Sequence, residues 1–232
     1  MSRDRFTAIV EDLKANIADG EIVAGRLCDA CLDVVGLSGV GIMLTAGDAT
    51  PGALAVSDGI SGTLEELQFN LGEGPGLEAW GRGRAALEPD LAGAGTARWP
   101  AFAPPAVRAG AGAVFGFPLL VGAIHVGALD FYRNRPGPLR REQLSDALVM
   151  ADIVTEVVLA VQAVAAVGGV APELAHAGDA HVEVHQASGM VSAQLDITIT
   201  EAFLRLRTHA YAEGRSINDV ARDVVARRLR LP

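Results

Sequence analysis

The sequence predicts an α+β unit, an antiparallel sheet with helices packed across it, followed by a separate all-α unit of three short helices. Three observations predict this. Strand-like runs of Val, Leu and Phe are enclosed in sequence by helical stretches. Three amphipathic, capped segments follow an Ala- and Gly-rich stretch with Pro172. Charge also divides, because residues 1–178 hold 12 bases and 21 acids while residues 179–232 hold 7 of each. The boundaries are read as 1–165 for the first unit, 166–179 for a linker and 180–232 for the second unit.

In the first unit, residues 3–19 and 21–35 read as helices, the latter with Ile22, Leu27, Ala30 and Val34 near one stripe and Gly36 as its stop. Residues 41–45 and 53–57 read as strands of a hairpin, with Gly47, Asp48, Pro51 and Gly52 supplying the turn. Helices are expected over 61–70 and 75–82, where Pro75 suits a first turn. Residues 114–120 and 124–131 are the clearest strands, and both faces of the second are largely apolar, so the sheet is expected to be covered on both sides. Over 140–164, Leu144, Leu148, Ala151, Val154, Val158 and Val161 recur at helical spacing, a long stripe read as a dimer seam.

In the second unit helices are expected over 180–195, 199–213 and 217–229. Thr198 with Glu201 has capping-box spacing, Ser216 with Asp219 repeats it more weakly, and Gly214 stops the middle helix. Ile199, Ala202, Phe203, Leu206 and Ala210 form one apolar stripe, and Ile217, Val220, Ala221, Val224, Val225 and Leu229 another. Arg207, Tyr211 and Leu204 are placed on a flank away from the Phe203 stripe.

Composition excludes several classes. Half of the 232 residues are hydrophobic and the net charge is −9, which rules out a disordered acidic tail or a polycationic nucleic-acid coat. No signal-peptide pattern and no run of about 20 apolar residues is found, so a soluble cytoplasmic protein is expected. Cys28 and Cys31 are the sole cysteines and fall inside a helix, so they are read as small core residues; a thiol redox enzyme is the alternative. His176, His181 and His185 lack a convincing third ligand, and no metal site is assigned. The Gly72-Glu-Gly-Pro-Gly76 run lacks the Lys and hydroxyl of a phosphate loop and is read as a turn. Trp80, Trp99, His125 and Tyr132 are the candidate lining of a small-molecule cavity on the sheet. No nucleophilic triad is found, so no catalytic residue is assigned and a non-enzyme is expected. From Phe203 to Pro232 seven arginines stand against Glu213, Asp219 and Asp223, and an aromatic ring among guanidinium groups suits unstacked bases and phosphate.

The run from His185 through Gln186, Ala187, Gly189 and Met190, with Ala202, Leu206, Val220 and Ala221 following in order, resembles the ANTAR domain, a three-helix RNA-binding module of bacterial antitermination regulators. The front unit resembles a GAF sensor domain through Leu71-Gly-Glu-Gly-Pro75, Phe117-Pro-Leu119 and Val126-Gly-Ala-Leu-Asp-Phe-Tyr132. Gly76 stands where related sequences carry cysteine, which removes a thiol from that loop. The resemblance implies binding of paired hairpin loops in a nascent transcript, which keeps a terminator from forming. It also implies a homodimer, and a front unit responsive to a small-molecule ligand or other signal; no cofactor is named. The residues expected to meet RNA are Arg205, Arg207, Tyr211, Arg215, Arg222 and Arg227, while Gly189 and Ala202 are expected to permit close helix packing. A DNA-binding transcription factor is the alternative for the basic bundle.

Overall fold

The computed structural model describes residues 20–45, 52–166 and 181–232, with side chains from residue 24 and up to residue 163 at the two unit edges. The expected helix over 3–19, the turn at Gly47, Asp48 and Pro51, and His176 lie outside these residues. The chain divides into two compact units, residues 1–177 and 178–232.

In the first unit the order is α1 (Gly20–Val35), β1 (Gly39–Leu44), β2 (Gly52–Val56), α2 (Gly59–Leu71), α3 (Pro75–Arg82), β3 (Ala86–Glu88), α4 (Ala94–Arg98), α5 (Ala103–Ala109), β4 (Ala113–Val121), β5 (Ile124–Arg133) and α6 (Arg141–Ala166). The five strands make one antiparallel sheet in the order β2-β1-β5-β4-β3. Strand alternation assigns its two faces. Val40, Ile42, Phe115, Phe117, Leu119, Leu129 and Phe131 point to one face, where Leu27, Cys28 and Cys31 of α1 and Met150, Val154 and Val158 of α6 close the core. Val114 and Tyr132 point to the other, under Leu64, Ala79, Trp99, Phe102 and Ala106 from α2 to α5. Gln143 ties the first layer together, since its Nε2 donates at 3.0 Å to the Val35 carbonyl left open at the end of α1.

Two expectations are corrected here. The α6 stripe is not a free seam: Ala151, Val154, Val158 and Val161 are buried against the sheet of their own chain, and Leu148 alone of that series is exposed, at 48%. An amphipathic stripe of this length satisfied itself on a sheet and α1 rather than on a second helix. The elements β3, α4 and α5 have no counterpart in the sequence reading, because three-, five- and seven-residue elements are too short to display a period.

The second unit contains α7 (Val182–Leu195), α8 (Ile199–Ala212) and α9 (Ile217–Val225). Both halves of the Thr198–Glu201 capping box form, and the Ser216 hydroxyl accepts from the Asp219 amide. Val184, Ala187, Val191, Ala202, Leu206, Ala210, Ile217, Val220, Ala221 and Val224 form the bundle core. Ile199 does not join it: the residue sits in the first turn and is 64% exposed. Gly189 is likewise exposed, and a Cβ there would meet nothing within 4 Å, so it is not a close-packing glycine, whereas Ala202 is fully buried. The third helix ends at Val225 rather than at residue 229, because Arg227 takes a left-handed φ of 58°. The tail then folds back, with Leu231 buried and its carbonyl accepting from Gln194 Nε2 at 2.9 Å.

Candidate functional sites

In the first unit, an acid pair is built by α2 and β5. Asp58 caps α2, accepting the Ser61 amide at 2.7 Å, and its other oxygen accepts the Tyr132 hydroxyl at 2.6 Å. This pins α2 over β5, so that Glu65 and Gln68, two and three turns along, reach the face on which Asp130 points. Glu65 and Asp130 are 3% and 6% exposed and hydrogen-bond each other. Gln68 Nε2 donates to Asp130 Oδ2 at 2.9 Å, and Gln68 Oε1 accepts the Gly76 amide at the start of α3 at 2.8 Å.

Three glycines make room for these side chains. A Cβ at Gly41 would overlap the Glu65 carboxyl, one at Gly76 would overlap Asp130, and one at Gly116 would overlap the Pro75 carbonyl. Gly41 and Gly116 are the cross-strand partners of Asp130 on β1 and β4. Removal from water disfavours charge on both acids, so Glu65 is held well above the usual carboxylate range and Asp130 is pushed up to about 7. The negative charge of Asp130 raises Glu65 further, while hydrogen bonds from Gln68 and Glu65 restrain the rise at Asp130. The pair therefore holds a proton near neutrality. Beside it lies a cavity of about 10 Å³ whose lining includes Ser61, Leu64, Phe102, Val114, Phe131 and Tyr132. That is room for one water-sized occupant.

Of the four residues expected to line a pocket, Tyr132 does so. Trp99 is a core residue, 4% exposed, edge-on to Phe102 and donating to Glu78 Oε2 at 3.0 Å under the Arg98 guanidinium. Trp80 and His125 meet elsewhere, the indole donating to the His125 carbonyl at 3.2 Å at the start of β5. The structure does not bring the four together. Glu65, Gln68 and Asp130 were missed as a site; an acid inside the apolar run Ala128–Tyr132 was the available signal.

Cys28 and Cys31 are free and buried, and burial pushes the Cys28 thiol up to about 12 and Cys31 well above its ordinary value. A thiolate nucleophile needs the opposite shift. His181 is buried against Asn218, its Nδ1 at 3.1 Å from the amide oxygen, and no cluster of three metal-ligating side chains occurs among the described residues.

In the second unit the six expected RNA-contacting residues are spread over α8 (Arg205, Arg207, Tyr211), the turn after it (Arg215), α9 (Arg222) and the turn after that (Arg227). Tyr211 is 66% exposed and shares the outward face of α8 with Leu204 at 58%. Arg205 and Arg207 lie on opposite flanks of that face. Arg205 donates to the Pro232 carbonyl at 2.8 Å. Arg207 is not turned away from Phe203, as the wheel suggested: its guanidinium stacks over that ring at 4.5 Å, and burial lowers it to about 10, still cationic at neutral pH. Arg215 and Arg228 share Asp223, and Arg222 pairs with Asp219 at 2.9 Å. Arg227 is exposed on the left-handed turn after α9. Exposed pairs of this kind are worth roughly 0–1 kcal/mol, so a phosphate can compete for these arginines.

Comparison with known proteins decides the second unit: residues 173–225 match the ANTAR domain. The likeness covers those residues alone. ANTAR domains are regulatory RNA-binding modules, so the match points to regulation. No curated protein matches the chain. Three solved structures resemble it in fold. One is a domain described as part of a two-component sensor histidine kinase protein from Sinorhizobium meliloti 1021, with 18% identity over 64% of this chain and 96% of that one and a TM-score of 0.53. The second is the GAF domain of an Acinetobacter phosphoenolpyruvate-protein phosphotransferase, with 12% identity, 73% and 100% coverage and a TM-score of 0.52. The third is the GAF domain of the Coxiella burnetii phosphoenolpyruvate-protein phosphotransferase, with 12% identity, 71% and 99% coverage and a TM-score of 0.52. The part ahead of the ANTAR domain thus has the GAF fold, a statement about architecture alone. No helix among the described residues is long and apolar enough to cross a membrane.

Proposed function

We propose that the chain is a signal-responsive antitermination regulator whose ANTAR bundle binds hairpin loops in nascent transcripts. The observation that carries this reading is the ANTAR match over residues 173–225. The exterior of α8 supports it: Tyr211 offers an exposed ring for a loop base, Arg205 and Arg207 flank it, and Arg215, Arg222 and Arg227 extend positive charge towards phosphates. Arg207→Ala and Tyr211→Ala together are expected to weaken binding to a stem-loop RNA by a few kcal/mol, about 100-fold, without loss of helical circular dichroism. Unchanged affinity in the double variant would remove these residues from the interface.

The front unit supplies the signal input in this reading. Its cavity beside Glu65 and Asp130 supports a small-molecule cue. Two loops in one transcript engage two bundles most tightly when these are joined, so we propose a homodimer. The buried α6 stripe does not supply the seam; among the described side chains of α6, Leu148 and Leu159, eleven residues apart on its outward side, are the exposed large apolar groups left for one. Sedimentation of the purified chain as a dimer is the expected result, and a monomer at every practical concentration contradicts it.

A further inference from the structure

We propose that the cavity between α2 and β5 takes an ammonium group, of the free ion or of a primary amine, held by the Glu65 and Asp130 carboxyls. This names the ligand class of the input site and rests on the reading of the front unit as a sensor. The argument begins with donors and acceptors. Two buried carboxyls present four oxygens, yet the donors that reach them among the described residues are the proton they share and Gln68 Nε2. Asp130 Oδ1 is buried and receives no N–H, and no serine, threonine or tyrosine hydroxyl, from any of those residues. An acceptor so placed is costly unless a donor is supplied.

The charged and titratable groups around the cavity have one sign. From α2 come Asp58 and Glu65, and from β5 come Asp130 and Tyr132; β1, β4 and α5 contribute Gly41, Val114 and Phe102. Among the described residues no lysine or arginine lines it. The opening turn of α3 lies beside it, but its Gly76 amide is already given to Gln68. A carboxyl pair holding one proton is a buried monoanion, and a monovalent cation neutralises it. Ammonium matches further: it is close to water in size, as about 10 Å³ requires, and every proton on it is a donor directed at an oxygen. Leu64, Phe102, Val114 and Phe131 offer apolar wall to the first carbons of an amine. Anionic ligands would face the same two carboxyls and be repelled.

The test is thermal unfolding of the full chain near pH 7.5 at constant ionic strength. Ammonium, methylammonium and butylammonium chlorides are compared with potassium and tetramethylammonium chlorides, sodium acetate and acetamide. Saturating ammonium species are expected to raise Tm by several degrees over potassium and tetramethylammonium. The rise is expected to vanish in both Glu65→Gln and Asp130→Asn. A larger effect of butylammonium than ammonium identifies an amine, and the reverse identifies the free ion; either supports the proposal. Equal shifts with potassium, or a shift that survives both substitutions, overturn it. Stabilisation by acetate or acetamide instead would keep a ligand pocket while overturning its class, and stem-loop binding measured on the same samples reports separately on the RNA reading.

Discussion

Gly76→Ala is expected to destabilise the front unit by more than about 3 kcal/mol, although alanine ordinarily favours a helix. Gly76 lies in the first turn of α3, and a Cβ there would occupy the position of the Asp130 carboxylate. That carboxylate is held in place by its neighbours. Gln68 holds one oxygen, Glu65 shares its proton, and Gly41 and Gly116 have already surrendered their side chains on the adjacent strands. Overpacking therefore adds to the loss of a buried hydrogen bond, and the two costs should not be separable. Removing the carboxylate as well, in Gly76→Ala with Asp130→Ala, should recover more than 1 kcal/mol of the sum of the single effects. Gly189→Ala, where a Cβ meets nothing, is the contrast and should stabilise by roughly 0.5–1 kcal/mol. Denaturant unfolding of Gly76→Ala, Asp130→Ala, the double variant and Gly189→Ala reads all of this; a Gly76→Ala protein as stable as the parent would show that the pair is not packed as described.

The second large effect is on stability against pH. Glu65 and Asp130 are raised in the folded chain, so from about pH 4 upward the native state holds protons that the unfolded state has released. Stability consequently falls as pH rises, and the loss from Asp130 is complete above about pH 7. Its size is on the order of a few kcal/mol. Asp58 and Glu78 act in the opposite sense, since hydrogen bonds from Ser61 and Tyr132, and from Arg98, hold them below their ordinary values against partial desolvation. Their contribution is present above about pH 4 and is lost as pH falls through their folded values. Maximum stability should therefore lie on the acid side of neutrality. Asp130→Asn should flatten the slope between pH 5 and 8 and be more stable than the parent at pH 8. Parallel curves for the two proteins would contradict the buried pair.

These predictions concern groups that periodicity does not reveal. The sheet, the long α6 and the capped helices of the second unit were readable because alternation, the 3.6-residue repeat and the Thr198–Glu201 box are local signals. The ANTAR pattern was specific for the same reason, being a series of small and apolar residues at fixed spacing on three helices. What failed was non-local. The α6 stripe carries no mark that says whether a sheet or a second chain covers it, and the sheet won. Aromatic residues suggested a pocket, yet Trp99 is core and Trp80 stands apart, while the acid pair beside the cavity depends on glycines from β1, α3 and β4 that meet in space alone. In the second unit the arginines looked equivalent in sequence. The structure separates Arg207, stacked on Phe203, from Arg215 and Arg222, held by Asp223 and Asp219.

The central claim is that the carboxyl-terminal bundle binds looped RNA. It is tested most directly by measuring the affinity of the purified chain for a tandem stem-loop RNA and for duplex DNA of the same sequence, across a salt series. Binding to the RNA at near-physiological salt, with far weaker and steeply salt-dependent binding to the duplex, is the predicted result. Equal affinity for the two, or no binding of the RNA at near-physiological salt, would contradict it.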